Sequence, residues 1–122
     1  SNHLPNRQDN QKVLTREMFA SMRRNATFIN TGRGAQVDEE GLIDVLKQRP
    51  DLTVLLDVTS PEPPAEGSEL YRLPNVHLSS HIAGSLNDEV HRMADYVIED
   101  YLRFAEGKPL VNEVTEELLM TH

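Results

Sequence analysis

The chain has 122 residues, no cysteine and a formal net charge of −8, from 20 acidic and 12 basic residues. That length fits one domain of ordinary size, and the lack of cysteine excludes disulfides and thiolate metal sites, so no metal is expected. The acidic balance argues against a nucleic-acid or anionic-membrane partner. No apolar run has the length of a membrane span, and no signal-peptide pattern begins the chain, so a cytoplasmic setting is expected.

The first fifty residues alternate between helical and strand-like patterns. Residues 1–12 are polar and irregular, and Thr15 is placed to cap a short helix. Residues 26–30 have the pattern of a strand. Asp38 then starts a second helix, which we expect to end near Pro50.

The middle of the chain contains a nearly continuous apolar run at 52–58, the composition expected of a strand covered on both faces. Residues 59–68 are rich in proline and acid and are predicted to form a loop. One or two turns of helix are expected around 69–73, followed by a third strand at 75–78.

A long helix is predicted for 86–105, where apolar residues recur at steps of three and four. Ser85 supplies its start signal and Gly107 its end. The stretch 110–122 is interpreted as a strand-like segment followed by a frayed tail. Strands that alternate with helices indicate an α/β fold with a parallel sheet.

Three polar segments directly follow the three predicted strands: TGRG at 31–34, SPEP at 60–63 and SHIAG at 80–84. The loops at the carboxyl ends of parallel strands meet at one edge of the sheet, where such folds bind ligands. These loops carry Arg33, Glu62 and His81. Each residue alone has an ordinary structural explanation, as a turn residue, a loop acid or the start of a helix. A cation, an acid and a titratable base at one edge together predict catalysis.

The runs INTGRGAQVDEEGLIDVL, LLDVTSPEP and LSSHIAG, in this order and spacing, resemble the signature segments of the D-isomer-specific 2-hydroxyacid dehydrogenases. The resemblance implies an NAD(P)-linked enzyme of two Rossmann-like domains. It assigns residues 1–106 to the second half of the dinucleotide-binding domain, a partial Rossmann-like sheet with the long helix, and 107–122 to the return toward the substrate domain.

The resemblance also implies residue roles. Arg33 matches the substrate-binding arginine, Glu62 the acidic partner and His81 the acid/base histidine. The positions that match cofactor-binding residues are Thr31, Gly32, Arg33, Asp57, His81, Ile82, Ala83 and Gly84. Leu4 and Pro5 match a further cofactor-contacting turn. The implied substrate is a small 2-hydroxy or 2-oxo acid, and the implied cofactor is NAD or NADP, with NAD favoured.

The residue types suit that chemistry. An imidazole can give or take a proton at neutral pH, and a carboxylate on its other nitrogen fixes the tautomer. A guanidinium offers paired donors to a carboxylate. Hydride transfer assisted by His81, Glu62 and Arg33 is therefore chemically consistent.

No G-x-G-x-x-G occurs in the chain, so the pyrophosphate-binding turn of a dinucleotide fold is missing from it. We expect these 122 residues alone to be inactive, to bind dinucleotide weakly and to self-associate, as a homodimer or by strand exchange. Two other readings stay open. One is a dinucleotide-regulated interaction module like the C-terminal-binding-protein corepressors, and the other is a structural fragment without activity.

Overall fold

A computed structural model describes residues 1–121 of the chain. These residues form two compact units, which are described separately: the first unit is Ser1–His81, and the second unit begins at Ile82. The predicted division at residue 106 stays a prediction. The strands are β1 (Thr27–Asn30), β2 (Thr53–Leu56) and β3 (Val76–Leu78), and the α-helices are α1 (Arg16–Ala20), α2 (Glu39–Gln48), α3 (Asp88–Ala105) and α4 (Glu116–Thr121). Short 3₁₀ turns occur at Gln8–Asn10, Gly34–Gln36 and Glu69–Tyr71.

The first unit contains a three-stranded parallel sheet in the order β1-β2-β3. Thr27 is opposite Thr53 in one pair of strands, and Val54 is opposite Val76 in the other. All three strands lie where the apolar runs predicted them, although each is shorter than its run. The α/β class and the parallel sheet are therefore confirmed.

Two helices of the first unit begin where the sequence predicts. Thr15 occupies the N-cap position of α1, but its hydroxyl accepts no capping hydrogen bond from the helix. Asp38 caps α2 through its carboxylate, which accepts the N–H of Gly41 at 3.3 Å. α2 ends at Gln48, before the proline that cannot continue it.

The core of the first unit lies on one face of the sheet. It joins buried residues of α1, α2, β2, the Glu69–Tyr71 turn and adjoining loop positions: Phe19, Val37, Leu42, Val45, Leu46, Leu52, Val54, Leu56 and Leu70. The expectation that β2 is covered on both faces is wrong, because Leu55 is 40% exposed beside the exposed Ile29. The helices of this unit pack on the face that holds Val54 and Leu56, so alternate side chains of β2 point away from them.

The second unit contains α3, whose 18 residues span about 27 Å. Its position agrees with the predicted long helix, but Asn87, not Ser85, is its N-cap residue, with a φ of 51° and no side-chain capping bond. No side chain of α3 is buried. The apolar side chains that recur along this helix are therefore exposed.

The tail predicted as a strand-like segment contains a helix, α4, and no strand among residues 110–121. Thr115 explains the start of α4, because its hydroxyl accepts the N–H of Leu118 at 3.2 Å and its carbonyl accepts that of Leu119 at 3.1 Å. Asp100 holds the preceding segment by accepting the N–H groups of Val111 and Asn112, both at 2.8 Å. The last predicted residue, His122, lies outside the described residues.

None of the helices described here is both long enough and apolar enough to cross a lipid bilayer.

Candidate active site

The three polar loops share one edge of the sheet. β1, β2 and β3 run parallel and side by side, and the chain leaves them at Asn30, Leu56 and Leu78. The segments that carry Arg33, Glu62 and His81 follow directly. The structure thus has the strand order and direction on which the sequence-based prediction of a common edge rests.

His81 and Glu62 form the central pair of this edge. The Nδ1 atom of His81 lies 2.6 Å from Oε1 of Glu62, within hydrogen-bond distance. Both side chains are roughly half exposed, at 47% and 41%, so solvent screens their attraction while the geometry stays that of a direct contact. His81 has a φ of 57°, a left-handed conformation that is uncommon for a residue with a side chain.

The backbone of His81 is attached to Asp57 of the neighbouring strand end. The His81 N–H donates to the Asp57 carbonyl at 3.0 Å, and the Asp57 N–H donates to the carbonyl of Asn30 at 3.0 Å. The ends of all three strands are therefore tied together by main-chain hydrogen bonds.

The side chain of Asp57 is buried, with 7% of the residue exposed. The hydroxyl of Ser79 donates to its Oδ1 at 2.5 Å, a short charge-assisted hydrogen bond. Asp57 and Ser79 line a pocket of about 300 Å³ together with Thr59, Glu62, Pro63, Pro64, Leu78, Ser80 and His81. The pocket thus combines carboxylates, hydroxyls and an imidazole with apolar proline and leucine walls.

Arg33 is exposed on the loop after β1. Its Nη1 donates to the carbonyl of Gly32 at 2.8 Å, within its own loop. In the described part of the chain it forms no hydrogen bond with Glu62 or His81. The structure thus brings the acid and the histidine together, and it places the arginine on the adjacent strand end without a direct bond to them.

The other predicted cofactor-binding positions fall in both units. Gly32 is buried on the same loop as Arg33, and the Thr31 hydroxyl lies 3.2 Å from Nδ1 of His3. The remaining three, Ile82, Ala83 and Gly84, belong to the second unit.

Three buried amides behind the Arg33 loop were not identified from the sequence: Asn2, Asn30 and Gln36. Asn30 and Gln36 are fully buried, and Asn2 is 5% exposed. Asn2 pairs with Asn30 beside β1, although residues 1–12 were expected to be irregular. An asparagine at the end of an otherwise apolar strand is the signal that could have found this cluster, because buried amides need partners.

Comparison with known proteins agrees with this architecture. Residues 1–83 match the family model described as the D-isomer specific 2-hydroxyacid dehydrogenase NAD-binding domain. The chain belongs to the D-isomer-specific 2-hydroxyacid dehydrogenase family. The resemblance inferred from the three signature runs is confirmed, and the family adds that the sheet described above is part of a nicotinamide dinucleotide-binding fold.

Named relatives and solved structures of the family are similar along nearly the whole chain. Glyoxylate/hydroxypyruvate reductase B of Enterobacter agglomerans is 34% identical over 95% of this chain and 36% of its own length. A D-isomer specific 2-hydroxyacid dehydrogenase from Xanthobacter autotrophicus Py2, solved with NADPH and MES, has a TM-score of 0.76 and 32% identity over 93% of this chain and 46% of its own.

A glyoxylate/hydroxypyruvate reductase from Sinorhizobium meliloti, described as NADPH-dependent and solved with NADP and sulfate, has a TM-score of 0.79. It is 28% identical over 98% of this chain and 38% of its own. The chain thus spans about a third of the length of the curated relatives that it matches.

Proposed function

We propose that this chain supplies the acid/base and substrate-holding half of an active site for hydride transfer between NAD(P) and a small 2-hydroxy or 2-oxo acid. The observation that carries the proposal is the contact of 2.6 Å between His81 and Glu62 beside the pocket at the carboxyl edge of the sheet. Family membership supports the oxidoreductase class and a nicotinamide dinucleotide.

His81 is proposed as the general acid/base. Its Nδ1 is engaged by Glu62, so Nε2 is the nitrogen that faces the reacting oxygen. In the reductive direction Nε2 donates a proton to the carbonyl oxygen while the carbonyl carbon receives a hydride. In the oxidative direction the same nitrogen accepts the hydroxyl proton. Glu62 fixes the tautomer and balances the charge of the imidazolium.

Arg33 is proposed to bind the carboxylate of the substrate. Its guanidinium is exposed and is held by one hydrogen bond to a main-chain carbonyl, which leaves further N–H groups for a ligand. Paired donors from a planar guanidinium match a carboxylate, so Arg33 would hold the reacting carbon in a fixed place.

The pocket residues fit the nicotinamide end of a dinucleotide. About 300 Å³ is the lower end of the range for small-molecule pockets and suits a ring with a small acid. The carboxylate of Asp57 forms part of the wall and can accept the N–H groups of a carboxamide. When bound, the nicotinamide supplies or accepts the hydride. The pocket residues do not favour NAD over NADP, and we propose NAD from the resemblance alone.

Three further expectations belong to the proposal. The 122 residues alone are expected to be inactive, because they contain no glycine-rich turn for the pyrophosphate. Self-association is expected because α3 exposes large apolar side chains, among them Val97 and Phe104 at 71% and 72%. A cytoplasmic location is proposed from the sequence.

The proposal is tested with the full-length protein that contains these residues, by following the reduced cofactor while glyoxylate or hydroxypyruvate is converted. His81→Gln should lower kcat by about 10²- to 10⁴-fold, since general acid/base catalysis contributes that much. Arg33→Gln should mainly raise KM for the acid. His77→Gln is the matched control, because His77 is an exposed histidine four residues earlier, on β3.

Full-length protein that binds dinucleotide but turns over no 2-oxo acid would contradict the enzyme and support the corepressor-like interaction module. Protein that does neither would support a structural role. Turnover by the 122-residue chain alone would contradict its expected inactivity.

A further inference from the structure

The loop that carries Arg33 is held by a buried network of three amide side chains, in which Asn2 links Asn30 to Gln36. Asn2 Nδ2 donates to Oδ1 of Asn30 at 3.0 Å and to Oε1 of Gln36 at 2.6 Å. Asn30 and Gln36 have no exposed surface, and no buried side-chain nitrogen or oxygen in the described residues lacks a partner. A saturated buried network of this kind fixes the groups that it joins.

The network forms hydrogen bonds with the main chain on both sides of the Arg33 α-carbon. Oδ1 of Asn30 accepts the N–H of Gly32 at 3.1 Å, and Nδ2 of Asn30 donates to the carbonyl of Arg33 at 3.2 Å. A loop with glycine at 32 and 34 would otherwise have wide conformational freedom. One side chain thus defines the point from which the guanidinium extends.

The same network holds the N-terminal turn. Nε2 of Gln36 donates to the carbonyls of Leu4 and Pro5 at 2.9 and 2.6 Å, and Oδ1 of Asn2 accepts the N–H of Leu4 at 3.2 Å. Each amide both donates and accepts here. A carboxylate could not do so, because it carries no donor when ionised.

We propose that Asn30, supported by Asn2 and Gln36, is a positioning residue that sets the guanidinium of Arg33 for the substrate carboxylate. This inference rests on the proposed function, since it assigns Arg33 to substrate binding. A residue that acts only on stability would not change the affinity of the folded protein for a carboxylate. A positioning residue affects the ligand that Arg33 holds.

The decisive variant is Asn30→Asp in the full-length protein. The new carboxylate keeps the acceptor for the Gly32 N–H but cannot donate to the carbonyl of Arg33. We expect kcat/KM for glyoxylate to fall by about tenfold to a hundredfold, as misplacement of a binding group does. The affinity for oxalate, used as an unreactive carboxylate probe, should fall with kcat/KM.

Asn75→Asp is the matched control. The Asn75 amide also donates to two main-chain carbonyls, those of Leu46 and Arg49 at 3.3 and 3.4 Å, but at the opposite edge of the same sheet. The two variants lose the same kind of bond, and the loss of stability should be larger for Asn30→Asp because Asn30 is fully buried whereas Asn75 is partly exposed. Only Asn30→Asp should change oxalate binding.

Amide hydrogen exchange supplies a readout that does not depend on activity. Exchange in the peptide 31–36 should accelerate in Asn30→Asp and stay unchanged in Asn75→Asp. If Asn30→Asp does not fold, Asn2→Ala removes the link between the other two amides without adding a charge. Asn2→Ala should then also lower the affinity for oxalate, by a smaller factor than expected for Asn30→Asp.

The outcomes separate the two proposals. If Arg33→Gln lowers oxalate affinity but Asn30→Asp and Asn2→Ala behave like Asn75→Asp, the positioning role is overturned. If Arg33→Gln leaves oxalate binding and turnover unchanged, the proposed function fails, whatever the exchange data show. Accelerated exchange at 31–36 with selective loss of oxalate binding supports the inference.

Discussion

Gly34 lies against the main chain of Thr59 so closely that a β-carbon at position 34 would overlap the Thr59 carbonyl group. The contact joins the loop that carries Arg33 to the loop that carries Glu62. Because backbone and not a flexible side chain is in the way, relief of the overlap requires one of the loops to move. Gly34 therefore sets the spacing between two candidate catalytic loops.

Gly34→Ala is expected to destabilise the protein by about 1–3 kcal/mol, the usual cost of forcing extra volume into a packed site. Turnover should fall as well, since the two loops are pushed apart. The midpoint of urea unfolding and kcat/KM check both effects. Gly84→Ala is the control for stability, because a β-carbon there meets no atom within 4 Å. Equal stability of the two variants would show that the contact does not constrain the loops.

The hydroxyl of Ser79 is expected to orient the Asp57 carboxylate for the cofactor. Ser79→Ala removes the donor 2.5 Å from Oδ1 of Asp57 and so takes away one of the contacts that orient this carboxylate. The affinity for reduced cofactor should fall by about tenfold, because the carboxylate loses a hydrogen bond that orients it. That factor corresponds to the low end of the free energy of a hydrogen bond to a charged group. Ser21→Ala is matched chemically, because its hydroxyl donates to the Met18 carbonyl far from this edge. Fluorescence titration of the full-length protein measures both; unchanged affinity in Ser79→Ala would show that Asp57 needs no such support.

Several features of the fold could be predicted from the sequence because local signals and tertiary packing agree there. The apolar runs contain β1, β2 and β3. The carboxylate of Asp38 caps α2, as its position before two glutamates suggests. The positions of the candidate site residues followed from strand direction, since parallel strands put all three loops at one edge.

Other features depend on contacts that no local pattern reveals. Asn2 enters the interior only because Asn30 and Gln36 face it from 28 and 34 residues away. Leu55 is exposed because the helices of the first unit lie on the other face of the sheet, which the apolar composition of β2 could not show. For α4 a local signal was present, because Thr115 precedes two glutamates at a helix start.

The pH dependence of stability should contain a contribution from Glu39. Burial raises the pKa of its carboxyl, and the N–H of Ser60, which donates to Oε2 at 3.1 Å, partly opposes that rise. The folded state therefore holds the proton more tightly than the unfolded state, so stability falls as pH rises from the ordinary carboxyl range through the raised pKa.

Glu39→Gln removes this titration and keeps an oxygen that can accept from Ser60. The variant should therefore gain stability relative to the natural chain as pH rises from the ordinary carboxyl range through the raised pKa of Glu39, and the gain should then level off. Urea unfolding at a series of pH values measures the difference. Glu40→Gln deletes an exposed carboxylate from the same helical turn and is the control. The same pH-dependent gain in both variants would assign the effect to helix charge instead of burial.

The opposite sign is expected for Asp51. Its carboxylate accepts hydrogen bonds from Nε and Nη2 of Arg49, both at 2.8 Å, and from the N–H of Asn25 at 3.1 Å. Chiefly because of the Arg49 hydrogen bonds, the pKa of Asp51 lies well below its usual range. The stability that it contributes is present above the ordinary carboxyl pKa and is lost as pH falls toward the lowered one. Arg49 also donates to the carbonyls of Ala20 and Met22, so the pair joins the end of α1 to the end of α2.

Asp51→Asn should therefore be less stable than the natural chain near pH 6, and the difference should shrink as the pH approaches 3. Asp9→Asn is a matched control, because Arg7 and Asp9 form the same two-bond contact at the same spacing but on an exposed 3₁₀ turn, with Asp9 67% exposed. Exposed pairs of that kind contribute little, so this variant should stay close to the natural chain at every pH. Urea unfolding at pH 3, 4.5 and 6 compares the two. A constant deficit for Asp51→Asn across that range would mean that the altered hydrogen bonding with Arg49 and Asn25, and not the titration of Asp51, accounts for its effect.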